Sequence, residues 1–279
     1  MVAGKTKRQF TRASLYIVII LLCLIFFYPA FVVFANSLRS YSSTSTLFFN
    51  GFHWKNYIWA VTMIPFGQYL MHSLAIAGIS VTGTTLMSAI VGFGFARLYG
   101  PGKNVLFVII LATMMLPGIV TQVPQFLIYH RIGFINTYWP WVVGAIGGSP
   151  FFIFLYKQFF SNIPKEMEEA ARIDGCSTFG IFSRIFIPVS VPVITTVAVM
   201  TFQGAWGDAM SPFMYLSSNM WPLATALISA TYTLNGNANV VLYPVLEAAA
   251  IIFAIPSIIT FFVGQRYLVE GIVTTGLKG

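Results

Sequence analysis

Charge is scarce in this chain. Only 8% of its 279 residues are charged, and just seven of them are acidic. With 57% hydrophobic residues, a soluble domain could not cover its surface with so few charges. Cysteine is nearly missing as well. Cys23 sits in a long apolar run and Cys176 in a distant polar stretch, so no disulfide framework is implied. The three histidines, His53, His72 and His130, are scattered near the ends of apolar runs or in loops. That leaves no metal-ligand cluster or nucleophile with its base, and counts against an intramembrane enzyme. No acidic group falls at the middle of an apolar run, Asp208 and Glu247 both lying near the outer ends of spans. An ion-coupled secondary carrier would place charge at mid-membrane, so that reading is disfavoured too. Nucleotide motifs are equally lacking. Gly4, Lys5 and Thr6 imitate the end of a phosphate loop without a strand leading into them, and a dinucleotide-like start at Gly92 and Gly94 fails at Arg97, where close helix packing is the expectation.

What the chain has in abundance is long apolar sequence. A hydrocarbon layer of about 30 Å needs about 20 apolar helical residues per crossing. Six runs qualify, over residues 15–36, 72–96, 105–129, 138–160, 189–206 and 247–268. They are too long and too continuously apolar for barrel strands, so an all-α polytopic membrane protein is expected. The first run has a basic start like a signal peptide, yet it exceeds the usual apolar length and reads as a retained helix.

Of fifteen Lys and Arg, all but Arg39, Lys55 and Arg131 fall on one side of a six-span arrangement. Positive loops stay inside, which puts both termini and residues 161–188 in the cytoplasm. The +8 net charge is then a topology signal, and nucleic acid is not needed to explain it. Aromatic residues over 52–59 suit the lipid interface. The outer segment 207–244 holds no Lys or Arg and contains a turn-rich tip, Asn235, Gly236, Asn237 and Asn239, able to meet an external partner. No fixed-period repeat is evident, and one integral domain covers residues 1–279.

The polar island at 161–188 carries the sharpest pattern. Asn162 can cap a helix with Pro164 in its first position, and Glu166, Glu168 and Glu169 place negative charge where amides are unpaired. Gly175 can close that helix in the left-handed conformation just after Asp174, and Ser177 with Thr178 can cap a second one. Pro188 then marks the return into the bilayer.

Glu169, Ala170, Ala171 and Gly175, followed after nine residues by Ile185, Phe186, Ile187 and Pro188, resemble the EAA loop of permease subunits in bacterial ABC importers. Together with the outer stretch at 219–227 and the closing segment at 265–279, the pattern looks like the carbohydrate-uptake branch, in particular the second, maltose-type permease. One departure is Trp206, Gly207 and Asp208, where family members often carry Trp, Asn and Glu. The resemblance implies a type I importer permease of the bacterial cytoplasmic membrane. It also implies a heterodimer with a homologous permease, two cytoplasmic ATPase subunits, an extracytoplasmic solute-binding protein and a carbohydrate substrate. No cofactor is implied in this chain; ATP and Mg2+ would bind the partner ATPases. Glu169, Ala170, Ala171, Asp174, Gly175, Ile185 and Pro188 would form the ATPase-coupling element, and Asn235, Gly236, Asn237 and Asn239 would touch the binding protein.

Candidates for the substrate pathway are polar or aromatic groups in or beside apolar runs: Gln122, Gln125, Gln203, Trp206 and Asp208. Two readings stand for the glutamines, a hydrated cavity or interhelical hydrogen bonding. Pro117 and Pro124 could break the third span near them.

Overall fold

A computed structural model describes residues 2–40, 51–229 and 242–276, with side chains described for 12, 14–40, 51–229 and 242–267. The binding-protein candidates at 235–239 therefore lie outside the described residues. Among the described residues the secondary structure is helical, without strands. The chain divides into two compact units, Met1–Phe66 with Ala230–Ala254, and Gly67–Ser229 with Ile255–Gly279.

In the first unit, α1 (Val2–Ser37) is the longest helix and α2 (Lys55–Thr62) a short one. No residue in the most apolar stretch of α1 is buried within the chain, so that face needs lipid or another subunit. The C-terminal end of α1 is tied by polar bonds. The buried Asn56 amide donates to the carbonyls of Ser37 and Arg39, each at 2.8 Å, and Asn36 donates to Glu247 at 3.2 Å.

The second unit contains α3 (Phe66–Arg97), α4 (Lys103–Thr113), α5 (Gly118–Arg131), α6 (Trp139–Gly147), α7 (Pro150–Ser161) and α8 (Lys165–Ile173). Then follow α9 (Thr178–Ile181), a π-turn at Phe182–Phe186, α10 (Ile187–Val189), α11 (Val191–Gly207), α12 (Met210–Tyr215) and α13 (Leu223–Ser229). The last helix is α14 (Tyr243–Gly276). Four helical stretches are long and apolar enough to cross a membrane: Ser14–Ser37, Phe66–Arg97, Trp139–Ser161 and Tyr243–Tyr267. Two bent pairs raise the number to six if each is one span.

The first bent pair falls in the run at 105–129, where a break at Pro117 or Pro124 was expected, and puts it at the first of the two. α4 and α5 meet at 100°, with the break at Met114–Pro117. Pro117 stands at the N-cap of α5 in an extended-type conformation, where its missing N–H costs nothing, whereas Pro124 lies inside α5 and leaves it unbroken. The second bent pair joins Thr178–Val189 to α11 at 79°. The turn into the apolar helix thus falls at Ser190, two residues beyond the Pro188 expected to mark it. Pro188 cannot donate to the carbonyl of Arg184, and just before it Ile187 N–H reaches Phe182 O in a five-residue step.

An aromatic core packs α3 and α7 against the π-turn and α11. Phe93, Phe160 and Phe186 meet edge to face, with ring centroids 4.9 to 6.1 Å apart. Such pairs contribute about 0.5–1.5 kcal/mol each beyond their buried area. Around them lie Tyr156, Ile181, Phe182, Val193, Val197 and, from α8, Ala171. Glycine makes the approach of α3 possible: a Cβ on Gly92 would stand 2.6 Å from Tyr156 Cβ, and one on Gly83 2.6 Å from Ala145 Cβ. Gly94 differs, since an added Cβ there meets nothing within 4 Å.

Candidate functional site

The island at 161–188 forms a bent elbow of short helices. Asn162 closes α7 and does not cap α8, because the backbone completes α7 through Asn162 N–H bonding Phe159 O at 3.1 Å. Pro164 is the N-cap of α8, with ψ near 137°, and the first helical residue is Lys165. At the other end Gly175 takes φ +78°, and two bonds seal the helix: Cys176 N–H to Ala171 O at 2.9 Å and Gly175 N–H to Arg172 O at 3.0 Å. This is the Schellman arrangement, which a residue with a Cβ adopts only under strain. Ser177 then caps α9, its Oγ accepting from Gly180 N–H at 3.1 Å.

Arg97, the final residue of α3, fastens the elbow. Its guanidinium donates to Phe160 O at 3.1 and 2.6 Å and to Ile163 O, approaches Glu168 at 4.0 Å, and lies over the Phe186 ring at 5.1 Å. The side chain is 5% exposed, so its charge is satisfied within the protein. Glu168 also binds Arg172 at 2.8 Å, one turn on. Sequence reading counted Arg97 only as an inside charge. The available signal was an arginine at the end of a 32-residue apolar helix in a chain with one acid-rich helix.

The coupling candidates separate into two faces. Ala171 is buried in the aromatic core and Ile185 is half-buried, while Glu169, Ala170, Asp174, Gly175 and Pro188 are exposed. Exposed apolar groups stand beside them, with Ile173 86% and Phe179 73% accessible. A rigid helix end that presents carboxylates and bare apolar side chains together is suited to being gripped by another protein.

The pathway candidates are not gathered at one place. Gln203 donates its amide to Ser257 O at 2.8 Å, an interhelical bond between α11 and α14. Trp206 is buried and stacks on Phe202 at 5.4 Å. Asp208 caps α12, accepting from Met210 N–H and Ser211 N–H, each at 3.0 Å, and borders a cavity of about 520 Å3 with Met210, Phe213 and Ile228. Gln122 is half-buried. Gln125 is exposed; it donates to Tyr129 Oη at 3.0 Å and accepts from Tyr215 Oη at 3.3 Å. Burial pushes the Tyr215 phenol up, as do Tyr129 and Asp208, so it stays a neutral hydrogen-bonding group.

These features define a multi-pass helical membrane protein with a capped polar elbow between apolar helices. Residues 85–273 match the family described as the binding-protein-dependent transport system inner membrane component, and the chain belongs to that family. It is 30% identical over 215 residues to the arabinooligosaccharides transport system permease protein AraQ of Halalkalibacterium halodurans, covering 77% of this chain and 74% of that one. It is 28% identical over 292 residues to the maltose/maltodextrin transport system permease protein MalG of Escherichia coli, covering 96% and 97%. Its fold resembles a chain of a bacterial ABC transporter involved in the import of the acidic polysaccharide alginate, with a TM-score of 0.80 at 19% identity over 94% of this chain and 97% of that one.

Proposed function

We propose that this chain is a permease subunit of an ATP-binding-cassette importer for a carbohydrate, an oligosaccharide above all, in a bacterial cytoplasmic membrane. The observation that carries the reading is the Schellman-capped elbow at Lys165–Gly175, fastened by Arg97 and bare on its outer face. Relatives that carry arabinooligosaccharides and maltodextrins support the sugar class.

In this reading the chain is a single integral domain of six spans with both termini cytoplasmic, each bent pair counting as one span. It pairs with a homologous permease. Two cytoplasmic ATPase subunits bind ATP and Mg2+, and one of them grips Glu169, Ala170, Asp174 and Gly175, while Ala171 and Ile185 transmit the push into the aromatic core. The elbow can transmit force because its ends are pinned: a frayed helix would absorb the ATPase stroke, and a capped one passes it to α7 and α11. A solute-binding protein docks outside, through residues that include Asn235, Gly236, Asn237 and Asn239. Of the pathway candidates, Gln122, Gln125 and Asp208 keep polar groups near open space, and Gln203 and Trp206 serve helix packing.

The test compares two neighbouring alanines in the assembled transporter in liposomes. Ala170→Trp is expected to reduce ATP-driven sugar uptake at least tenfold while the melting temperature of the extracted chain stays within a degree or two. Ala171→Trp is expected to lower stability itself by about 1–3 kcal/mol or more, through overpacking. Normal uptake with Ala170→Trp would remove the elbow from the coupling route.

A further inference from the structure

The end of α3 and the elbow enclose a polar cavity of about 560 Å3, lined by Arg97, Lys103, Lys165, Glu168, Glu169 and Arg172. Four cations against two carboxylates leave it basic. Glu168 is engaged by Arg97 at 4.0 Å and Arg172 at 2.8 Å. Among the described residues, Lys103 and Lys165 have no carboxylate within 4.0 Å. The Lys103 ammonium has three donors, and its described bond is to Leu98 O at 2.7 Å.

An apolar groove of about 330 Å3 adjoins this cavity and shares Leu98, Tyr99 and Lys103 with it. Its remaining wall includes Val91, Gly94, Phe95 and Leu106 from the facing ends of α3 and α4. Tyr99, at the rim of both, is 98% exposed. We propose that cavity and groove are one binding site for an anionic phospholipid, with the headgroup phosphate among Lys103, Lys165 and Arg172 and the start of an acyl chain along Gly94 and Leu106.

The charge of the cavity selects an anion, and the continuous apolar groove selects one that carries a hydrocarbon tail. Free phosphate would leave the groove empty. An acidic side chain from a partner protein would do the same. The position fits as well, since Arg97 ends one apolar helix and Lys103 begins the next, which is the depth of a headgroup. A lipid held there touches both α4 and the elbow, so the composition of the leaflet would bias how readily the elbow moves. The site rests on the cytoplasmic placement proposed above.

The test is native mass spectrometry of the delipidated full chain in detergent, titrated with phosphatidylglycerol, phosphatidylcholine or soluble glycerol phosphate. Phosphatidylglycerol is expected to be retained in preference to phosphatidylcholine. Lys103→Gln should weaken its retention about fivefold, the effect of removing one surface-proximal cation. Gly94→Leu should weaken it similarly by filling the groove, with an unchanged melting temperature as the check that the fold is kept; an added Cβ there meets nothing within 4 Å. Equal retention of the two lipids, indifference to both substitutions, or competition by glycerol phosphate at the same concentration as phosphatidylglycerol would overturn the proposal. Because the readout is bound lipid mass, a parent chain that retains no phosphatidylglycerol in preference to phosphatidylcholine while ATP-driven uptake is intact sinks the lipid site alone, and a parent chain that retains it without uptake sinks the importer reading alone.

Discussion

Arg97 shows how one buried side chain can hold a functional element in place. Its planar fork reaches two carbonyls at the start of the elbow and its charge faces Glu168. Lysine offers the charge without the fork. Arg97→Leu is expected to cost about 3 kcal/mol by leaving Glu168 and two carbonyls short of a partner. Arg97→Lys should recover part of that stability and only a fraction of the uptake, as thermal melting and transport assays on the same preparations would register. If Arg97→Leu melted like the parent chain, the clamp would be ornamental. The motif positions Glu169 to Gly175 were legible as a set, but their division was not. Ala170 and Ala171 are chemically alike, and only contact with the core made one an anchor and left the other bare.

Among the elements, the elbow was readable because its punctuation is local. A glycine after an acid-rich helix and a serine two residues later dictate where one helix stops and the next begins, whatever surrounds them. Gly175→Val is expected to cost about 1–2 kcal/mol from its φ of +78°. Open space around the site means that clash adds nothing to this cost, so Gly175→Ala should cost a similar amount. A Gly175→Val variant as stable as the parent would show that the tight closure does not matter. Proline was harder to read. Pro117 and Pro124 occupy the same apolar run, yet only the first coincides with a break, because a proline at a helix start loses no hydrogen bond and its neighbour's fate depends on what packs alongside. The bend at Ser190 and the five-residue step before it were likewise hidden, since no single residue type encodes them.

For the whole molecule, exposure of apolar surface is the dominant fact. Much of the long helices' surface stays uncovered by the chain itself, none of the most apolar stretch of α1 being buried and only 28% of that of α3. That surface calls for lipid and for further subunits. Sidedness is open to direct measurement. In a Cys23→Ser, Cys176→Ser background, a cysteine replacing the exposed Ile173 should react with a membrane-impermeant maleimide in inside-out vesicles and stay unreactive in right-side-out ones. Labelling from the outer side would reverse the topology and end the coupling proposal.

Membrane residence, helical class and the location of the elbow follow from composition, run length and charge placement, because insertion energetics and local capping act on short stretches of chain irrespective of their distant neighbours. The fold itself assigned Arg97 to the clamp, Ala171 to the core, Gln203 to a helix contact and Gly94 to an open groove. Those roles come from residues dozens of positions apart meeting in space, and a one-dimensional pattern does not record which face of a helix its partner covers.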